Sequence, residues 1–204
     1  MDTKIYDAIV IVTPADFKRV ECNNQRIVKY LPVRKVLFVG SEELKELVRQ
    51  SNLGDKAGFV NENDLIPFQD VYNCMKDVMA DILLGRELPR GLVGWYYQQF
   101  LKMKYSALCD DEYYMSWDGD TVSCKAFSMF DSSGKPHFDM KHEYHEEYFI
   151  TMHKILPEID KIAGCSFISE HMIFNRNYMM IKHPEIYEYR NWHSFRYGGY
   201  YFHP

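Results

Sequence analysis

Tyr6-Asp7-Ala8-Ile9-Val10-Ile11-Val12-Thr13, closed by Pro14, is a continuous apolar run. A strand with one face in water would alternate polar and apolar residues. An unbroken run reads instead as a strand buried on both faces of a largely parallel sheet. The next segments keep the matching rhythm. A helix is predicted over residues 16–30, and a second strand over 33–40 with Val36-Leu37-Phe38-Val39 at its centre. Ser41 then caps a helix running to Gln50, with Glu42 and Glu43 in its first turn. A short third strand is expected over 57–60. This β-α-β-α opening implies an α/β fold whose central, mostly parallel sheet is flanked by helices. Ligands of such open sheets bind outside the carboxyl ends of the strands, where Thr13 falls.

Val71, Met75, Val78, Met79 and Ile82 recur at helical spacing and predict a helix over 70–84, ended by Gly85. Pro89 and Gly91 mark a loop, and residues 95–109 read as a helix offering Phe100, Leu101, Tyr105 and Leu108 for burial. Tyr113-Tyr114-Met115-Ser116-Trp117 is an aromatic strand, and residues 122–127 read as another. Asp131-Ser132-Ser133-Gly134-Lys135-Pro136 is a turn in a hairpin-like excursion ending near Met140. Residues 143–156 look helical and stop at Pro157. Short strands are expected over 165–169 and 172–174, and a helix over 175–189 interrupted at Pro184.

The 204 residues, 47% hydrophobic and 26% charged, suit one soluble α/β domain spanning 1–204. A formal net charge of −5 with no basic stripe argues against a nucleic-acid partner. An anionic substrate would need a metal to hold it in such a chain. Cys22, Cys74, Cys109, Cys124 and Cys165 are odd in number and form no C-x-x-C pair, so they read as buried, reduced thiols. The early apolar stretch 8–12 is too short for a signal-peptide core or a transmembrane segment, and the chain reads as cytoplasmic. Sixteen tyrosines, crowded toward the C-terminal half, suit core packing first and sugar or partner binding second.

Between the aromatic strand and the 122–127 run lies Asp118-Gly119-Asp120. Two carboxylates at i and i+2 on a turn that closes a buried strand can present oxygens to one divalent cation. Both acids are expected on an exposed turn, where removing either strands no buried partner. Mg²⁺ and Mn²⁺ take oxygen ligands and keep positions open for substrate phosphates, which makes a metal–diphosphate the natural guest. With fifteen Asp in the chain, about one Asp-x-Asp is expected by chance, so the setting carries the weight. Neither the Gly-x-Gly-x-x-Gly nor the Gly-x-x-x-x-Gly-Lys pattern occurs, which lowers the case for dinucleotides and ATP hydrolysis. His142-Glu143-Tyr144-His145-Glu146-Glu147 is a second polar cluster. Its histidines are three apart rather than four, so a zinc-hydrolase site built on His142 and His145 is the lesser alternative.

The order strand, Thr13-Pro14-Ala15-Asp16, β-α-β, aromatic strand, Asp118-Gly119-Asp120 resembles glycosyltransferases of the GT-A fold. More closely, four segments look like successive landmarks of a bacterial family of largely uncharacterised glycosyltransferases. These are Gly94-Trp95-Tyr96-Tyr97-Gln98-Gln99-Phe100-Leu101-Lys102, Trp117-Asp118-Gly119-Asp120-Thr121, Phe130-Asp131-Ser132-Ser133-Gly134-Lys135-Pro136 and Ser169-Glu170-His171-Met172-Ile173-Phe174. The likeness implies a Rossmann-like sheet, a nucleotide-sugar donor (a UDP-sugar by analogy) and Mn²⁺ or Mg²⁺ held by Asp118 and Asp120. It further implies that Thr13, Pro14 and Asp16 sit where the base and ribose are held. Gln98 and Lys102, one helical turn apart, would face the donor, with Trp117 and Gly119 beside the metal turn.

Glycosyl transfer with inversion needs a proton acceptor for the acceptor hydroxyl. Glu170 is the first candidate. His171 is its rival, as base or as a third metal ligand. The resemblance also implies a glycan or lipid-linked sugar acceptor met by residues from about 141 onward, a place in surface-polysaccharide assembly, and room for peripheral contact at the inner face of a membrane. A non-catalytic nucleotide- or carbohydrate-binding module on the same sheet is the alternative from another class.

Overall fold

A computed structural model describes residues 5–142, 144–146, 149–150, 153, 157, 164–166 and 169–182. Five strands form one sheet among them: β1 (Ala8–Ile11), β2 (Val36–Gly40), β3 (Ala57–Asn61), β4 (Tyr113–Trp117) and β5 (His171–Asn175). Their order is β3-β2-β1-β4-β5. β1 pairs in parallel with β2 and β4, β2 in parallel with β3, and β5 runs antiparallel to β4. The α/β class and the mixed, mostly parallel sheet flanked by helices are as the sequence predicts.

The double-sided burial of β1 explains its unbroken apolar run. Ala8 and Val10 enter one core, with Phe17, Ile27, Val28, Leu44 and Val48 from the helices α1 (Pro14–Arg19), α2 (Glu21–Tyr30) and α3 (Glu42–Gln50). Ile9 enters the other, with Val71, Val93, Tyr97 and Leu101. Those residues come from α5 (Phe68–Val78), which follows the short α4 (Glu62–Leu65), and from α7 (Arg90–Lys104), which follows α6 (Ala80–Leu83). Alternate side chains of one strand thus meet two different apolar layers, and neither face can carry polar residues.

Several boundaries differ from expectation. The helix expected over 16–30 is two helices broken at Val20, whose φ of −109° and ψ of 31° are not helical. Thr13 caps the first of them, with Pro14 following at a position where a missing N–H costs nothing. The helix expected over 70–84 starts at Phe68 and breaks at Met79, and its end is turned by Leu84 and Gly85 at φ 49° and 82°. Pro89 does not mark a loop but caps α7, which places Gly91 inside the helix; residues 105–107 tighten into a 3₁₀ turn.

The strand expected over 122–127 does not form. The Thr121 carbonyl that would lead into its ladder is taken by the Trp117 indole and the Asn23 amide instead. The turn at 131–136 is held by the Asp131 carboxylate, which accepts from the backbone N–H of Ser133 and Lys135; only an isolated bridge, Phe130 to Pro136, joins its arms. Within the strand expected over 165–169, Ser166 bridges to Lys141, and residues 167–168 lie outside the described set. β5 extends the expected 172–174 by one residue at each end, and α8 (Arg176–Lys182) is the described part of the last expected helix. Most of the helix expected over 143–156, and everything past 182, lies outside the described residues. All five cysteines are free thiols, but only Cys109 is buried: Cys22 and Cys124 are exposed, which corrects the sequence reading.

Gly40 closes β2 where a side chain would not fit, since a Cβ there would lie 2.7 Å from the Val12 carbonyl oxygen and 2.8 Å from Leu44 Cδ2. Gly40→Ala is expected to destabilise the protein by roughly 1–3 kcal/mol through overpacking, read as a lower urea midpoint at unchanged slope.

Candidate functional site

The parallel strands β1 to β4 all end on one edge of the sheet, bringing Thr13, Ser41, Glu62 and Asp118 to that edge. The chain builds outward from β1 to β3 on one side and then returns to lay β4 on the other side of β1. The order therefore reverses between β1 and β4, and the crevice that such a reversal opens is the ligand-binding place of this architecture. Thr13 and Asp118 flank it.

Asp118-Gly119-Asp120 is a hydrogen-bonded turn. The Thr121 N–H donates to the Asp118 carbonyl at 3.0 Å, and the Asp118 N–H donates to the Glu170 carbonyl at 2.8 Å, continuing the β4–β5 ladder by one residue. From α2, the Asn23 amide donates to the carbonyls of both Gly119 (2.7 Å) and Thr121 (3.0 Å), and the Trp117 indole donates to Thr121 at 3.1 Å. Gly119 packs on the end of β1: a Cβ would stand 3.4 Å from Val10 Cγ1. Asn23, only 9% exposed, is a residue that the sequence reading does not single out. A signal exists, because Asn23 and Asn24 lie four residues before the buried Ile27 and Val28 and so share the apolar face of α2.

The two acids of the turn are not equivalent. Asp118 Oδ1 is buried and lies 2.7 Å from the Lys102 ammonium, the Lys102 and Asp118 side chains being 12% and 27% exposed. The contact is an ion pair without hydrogen-bond alignment, since Oδ1 has the charge beside it but no well-angled donor. Asp120 is exposed. The expectation that both acids lie on an exposed turn, with no buried partner to strand, is therefore corrected for Asp118. Lys102 is set in place from behind by the fully buried Tyr114 of β4, whose hydroxyl donates to the Lys102 carbonyl at 2.8 Å. Gln98, half-buried, lies one turn earlier on α7.

Across the crevice, Thr13 Oγ1 accepts from the Asp16 N–H at 3.1 Å and donates to the Asp16 carboxylate at 2.7 Å. Asp16 also pairs with Arg19 at 2.9 Å. The Thr13 hydroxyl first, and Arg19 second, hold the Asp16 carboxyl below the usual carboxylate range. Thr13, Pro14 and Asp16 thus form the rigid start of α1 beside the crevice.

Glu170 and His171 lie next to the turn through β5. The Glu170 carboxylate is half-exposed and gripped by the Lys141 ammonium at 2.5 and 2.7 Å, which holds its carboxyl below the usual range. That pairing makes it a weaker proton acceptor than a free carboxylate. His171 stands opposite Trp117 in the strand register and stacks on its indole, with ring centres 5.0 Å apart. Its Nδ1 lies 3.4 Å from Asp139 Oδ2, an oxygen that also accepts from the Ser169 hydroxyl at 3.2 Å. Trp117 belongs with Met115 and Ile173 to the core on the α2 side, whereas Asp118 turns toward Lys102 of α7. His171 and Asp118 therefore face opposite sides of the sheet, and the structure does not bring His171 to the Asp118 carboxylate as a third ligand.

Among the described residues no group of three or more His, Cys, Asp or Glu side chains is arranged to hold a metal. An ion at the turn would have Asp118 and Asp120 from the chain and the rest of its oxygens from substrate and water, as Mg²⁺ and Mn²⁺ tolerate. His142 and His145 are exposed and precede the helical residues, so the shared helix face considered for them is absent. No helix among the described residues is long and apolar enough to cross a membrane.

Comparison with known proteins places the chain in a family without assigned activity. It belongs to the family of unknown function DUF6492, whose model matches residues 8–195. No curated protein matches the sequence. Among solved structures, the apo form of mouse xyloside xylosyltransferase 1 aligns with a TM-score of 0.49 at 12% identity, over 94% of this chain and 74% of that one.

Removing Asp118 strands a nearly buried ammonium, whereas removing Asp120 strands nothing. Asp118→Ala is expected to cost roughly 1–3 kcal/mol in denaturant unfolding, and Asp120→Ala less than about 0.5. In a Lys102→Met background the cost of Asp118→Ala should shrink, a coupling that a double-mutant cycle reads directly. Asn23→Ala takes its amide from the Gly119 carbonyl and leaves the Thr121 carbonyl with the Trp117 indole alone, and it should cost roughly 1–3 kcal/mol by the same measurement.

Proposed function

We propose that this protein is a GT-A-type glycosyltransferase that moves a sugar from a nucleoside-diphosphate sugar to a hydroxyl acceptor, assisted by Mn²⁺ or Mg²⁺ on Asp118 and Asp120. The observation that carries the reading is an acidic turn with an ammonium beside it, clamped at the switch point of a mostly parallel sheet. The residues present fit a hard divalent ion. The donor set is oxygen only, and the exposed Asp120 carboxylate stands two residues from Asp118 on the same turn. Such an ion, when bound, absorbs the charge that grows on a diphosphate leaving group as the glycosidic bond breaks.

The chain's own residues divide the remaining work. Lys102, a compact point charge, lies close enough to the turn to share its attraction between Asp118 and a diphosphate. Thr13, Pro14 and Asp16 offer the fixed start of α1 to the base and ribose, and Gln98 stands one turn from Lys102 on the same helix. His171, with its ring fixed by Trp117 and Asp139, is better suited than the Lys141-bound Glu170 to take a proton from the acceptor. UDP-sugars are the first donors to try, a glycan or lipid-linked sugar is the acceptor class, and surface-polysaccharide assembly on the cytoplasmic side of a membrane is the setting this reading favours.

One observation favours a second reading, a binding module that needs no metal: Lys102 already neutralises Asp118. Calorimetric titration with UDP-, GDP-, CMP- and dTDP-sugars, in Mn²⁺ and then in chelator, separates the two. Glycosyl transfer predicts one donor that binds at least about tenfold more weakly in chelator, a dependence that Asp120→Asn removes without lowering the melting temperature. Equal affinity in chelator supports the binding module. Failure of every donor to bind under both conditions removes glycosyl transfer and the nucleotide-binding form of the module.

A further inference from the structure

We propose that the cleft on the α2 side of the metal turn is a separate binding site for a pyranoside, the hydroxyl-bearing acceptor; this rests on the glycosyl-transfer reading. The cleft has a volume of about 360 Å³ and is lined by residues 122–125 and 127–129 together with Trp117, His137, Asp139 and His171. It begins where the Asp118–Asp120 turn ends. Thr121, whose carbonyl receives both the Asn23 amide and the Trp117 indole, leads directly into its wall. A ligand lying here is therefore adjacent to the turn but on the far side of the sheet from Lys102.

The chemistry of the walls selects the ligand. Phe127, half-buried with its ring centre 5.9 Å from that of the buried Trp117, supplies aromatic surface that the C–H face of a pyranose ring covers. Ser123 is 3% exposed and lines the cleft, and its hydroxyl has no hydrogen-bond partner among the described residues. A buried hydroxyl left unpaired costs stability, and such a group in a native fold calls for a reason. A ligand hydroxyl is one that the neighbouring groups share. His171 stacks on Trp117 and turns Nδ1 to Asp139, leaving Nε2 as the ring nitrogen for a ligand. One unpaired hydroxyl, one oriented imidazole and an aromatic wall form the donor–acceptor and stacking set that a sugar ring requires, and Lys125, which also lines the cleft, adds N–H donors. Binding here should not depend on metal.

The test is calorimetry of the intact protein with the methyl pyranosides of glucose, galactose, mannose and xylose, in chelator and without nucleotide. At least one should bind with millimolar affinity. Ser123→Ala should weaken that binding about tenfold while leaving the melting temperature unchanged or higher, because it deletes an unsatisfied group. That opposite movement of affinity and stability is what a merely structural serine would not show. His171→Phe, which keeps the stack on Trp117 but removes Nε2, should weaken binding by at least the same factor. Absence of binding by all four pyranosides, or wild-type affinity in both variants, overturns the proposal. A parallel titration with nucleotide-sugars keeps the two claims apart. Donor binding without pyranoside binding removes only this cleft. Pyranoside binding with the stated losses but no donor binding leaves a carbohydrate site and removes the transfer reading.

Discussion

The constraint on which the rest of the structure depends is the burial of β1 on both of its faces. With Ala8 and Val10 in one core and Ile9 in the other, no functional side chain can leave the sheet from the middle of β1. Chemistry is confined to the strand ends, and the strand order confines it further to the gap between β1 and β4. Asn23 then ties the loop at one side of that gap to the helix pair that begins at the other. One amide holding two carbonyls of the Asp118 turn converts a surface loop into a fixed one, which is what a site needs if its carboxylates are to meet a ligand without first being ordered.

The electrostatics of the turn follow from that placement. Asp118 lies at the end of a buried strand and faces α7, so its charge must be met from within, and Lys102 meets it. Asp120, two residues on, reaches water. The pair divides into an anchored acid and a free one, with an ammonium that any incoming cation or anion must accommodate. On the proposed reading, a diphosphate would give Lys102 a second partner as a metal took a share of Asp118, which would couple the three charges.

All five strands are legible in the chain, and β1, β2 and β4 most plainly, because each is a short run whose composition suits burial on both faces. The aromatic strand before Asp118 and the strand-end placement of Thr13 are legible for the same reason. The direction of β5 is not: whether His171–Asn175 runs with or against β4 depends on how the chain returns, which no local pattern encodes. Helix breaks at Val20 and Met79 are hidden because hydrophobic periodicity continues across them. The spacing of Gln98 and Lys102 is visible, but the partner of Lys102 lies on another element. Asn23 and the carbonyls it holds are 96 and 98 residues apart, a contact created only by packing α2 against the end of the sheet. Residues 122–127 mislead because their apolar content resembles a strand, whereas side chains from Trp117 and Asn23 take the carbonyl that would start one.

The central claim is that the Asp118–Asp120 turn holds a divalent ion against a diphosphate. Crystals grown with Mn²⁺ and UDP, with diffraction recorded at the manganese absorption edge, test it most directly. The account predicts one anomalous peak at coordination distance from carboxylate oxygens of both Asp118 and Asp120 and from the diphosphate, with the nucleoside beside Thr13. A nucleotide bound elsewhere on the protein, or bound in the crevice with manganese on neither carboxylate, contradicts it.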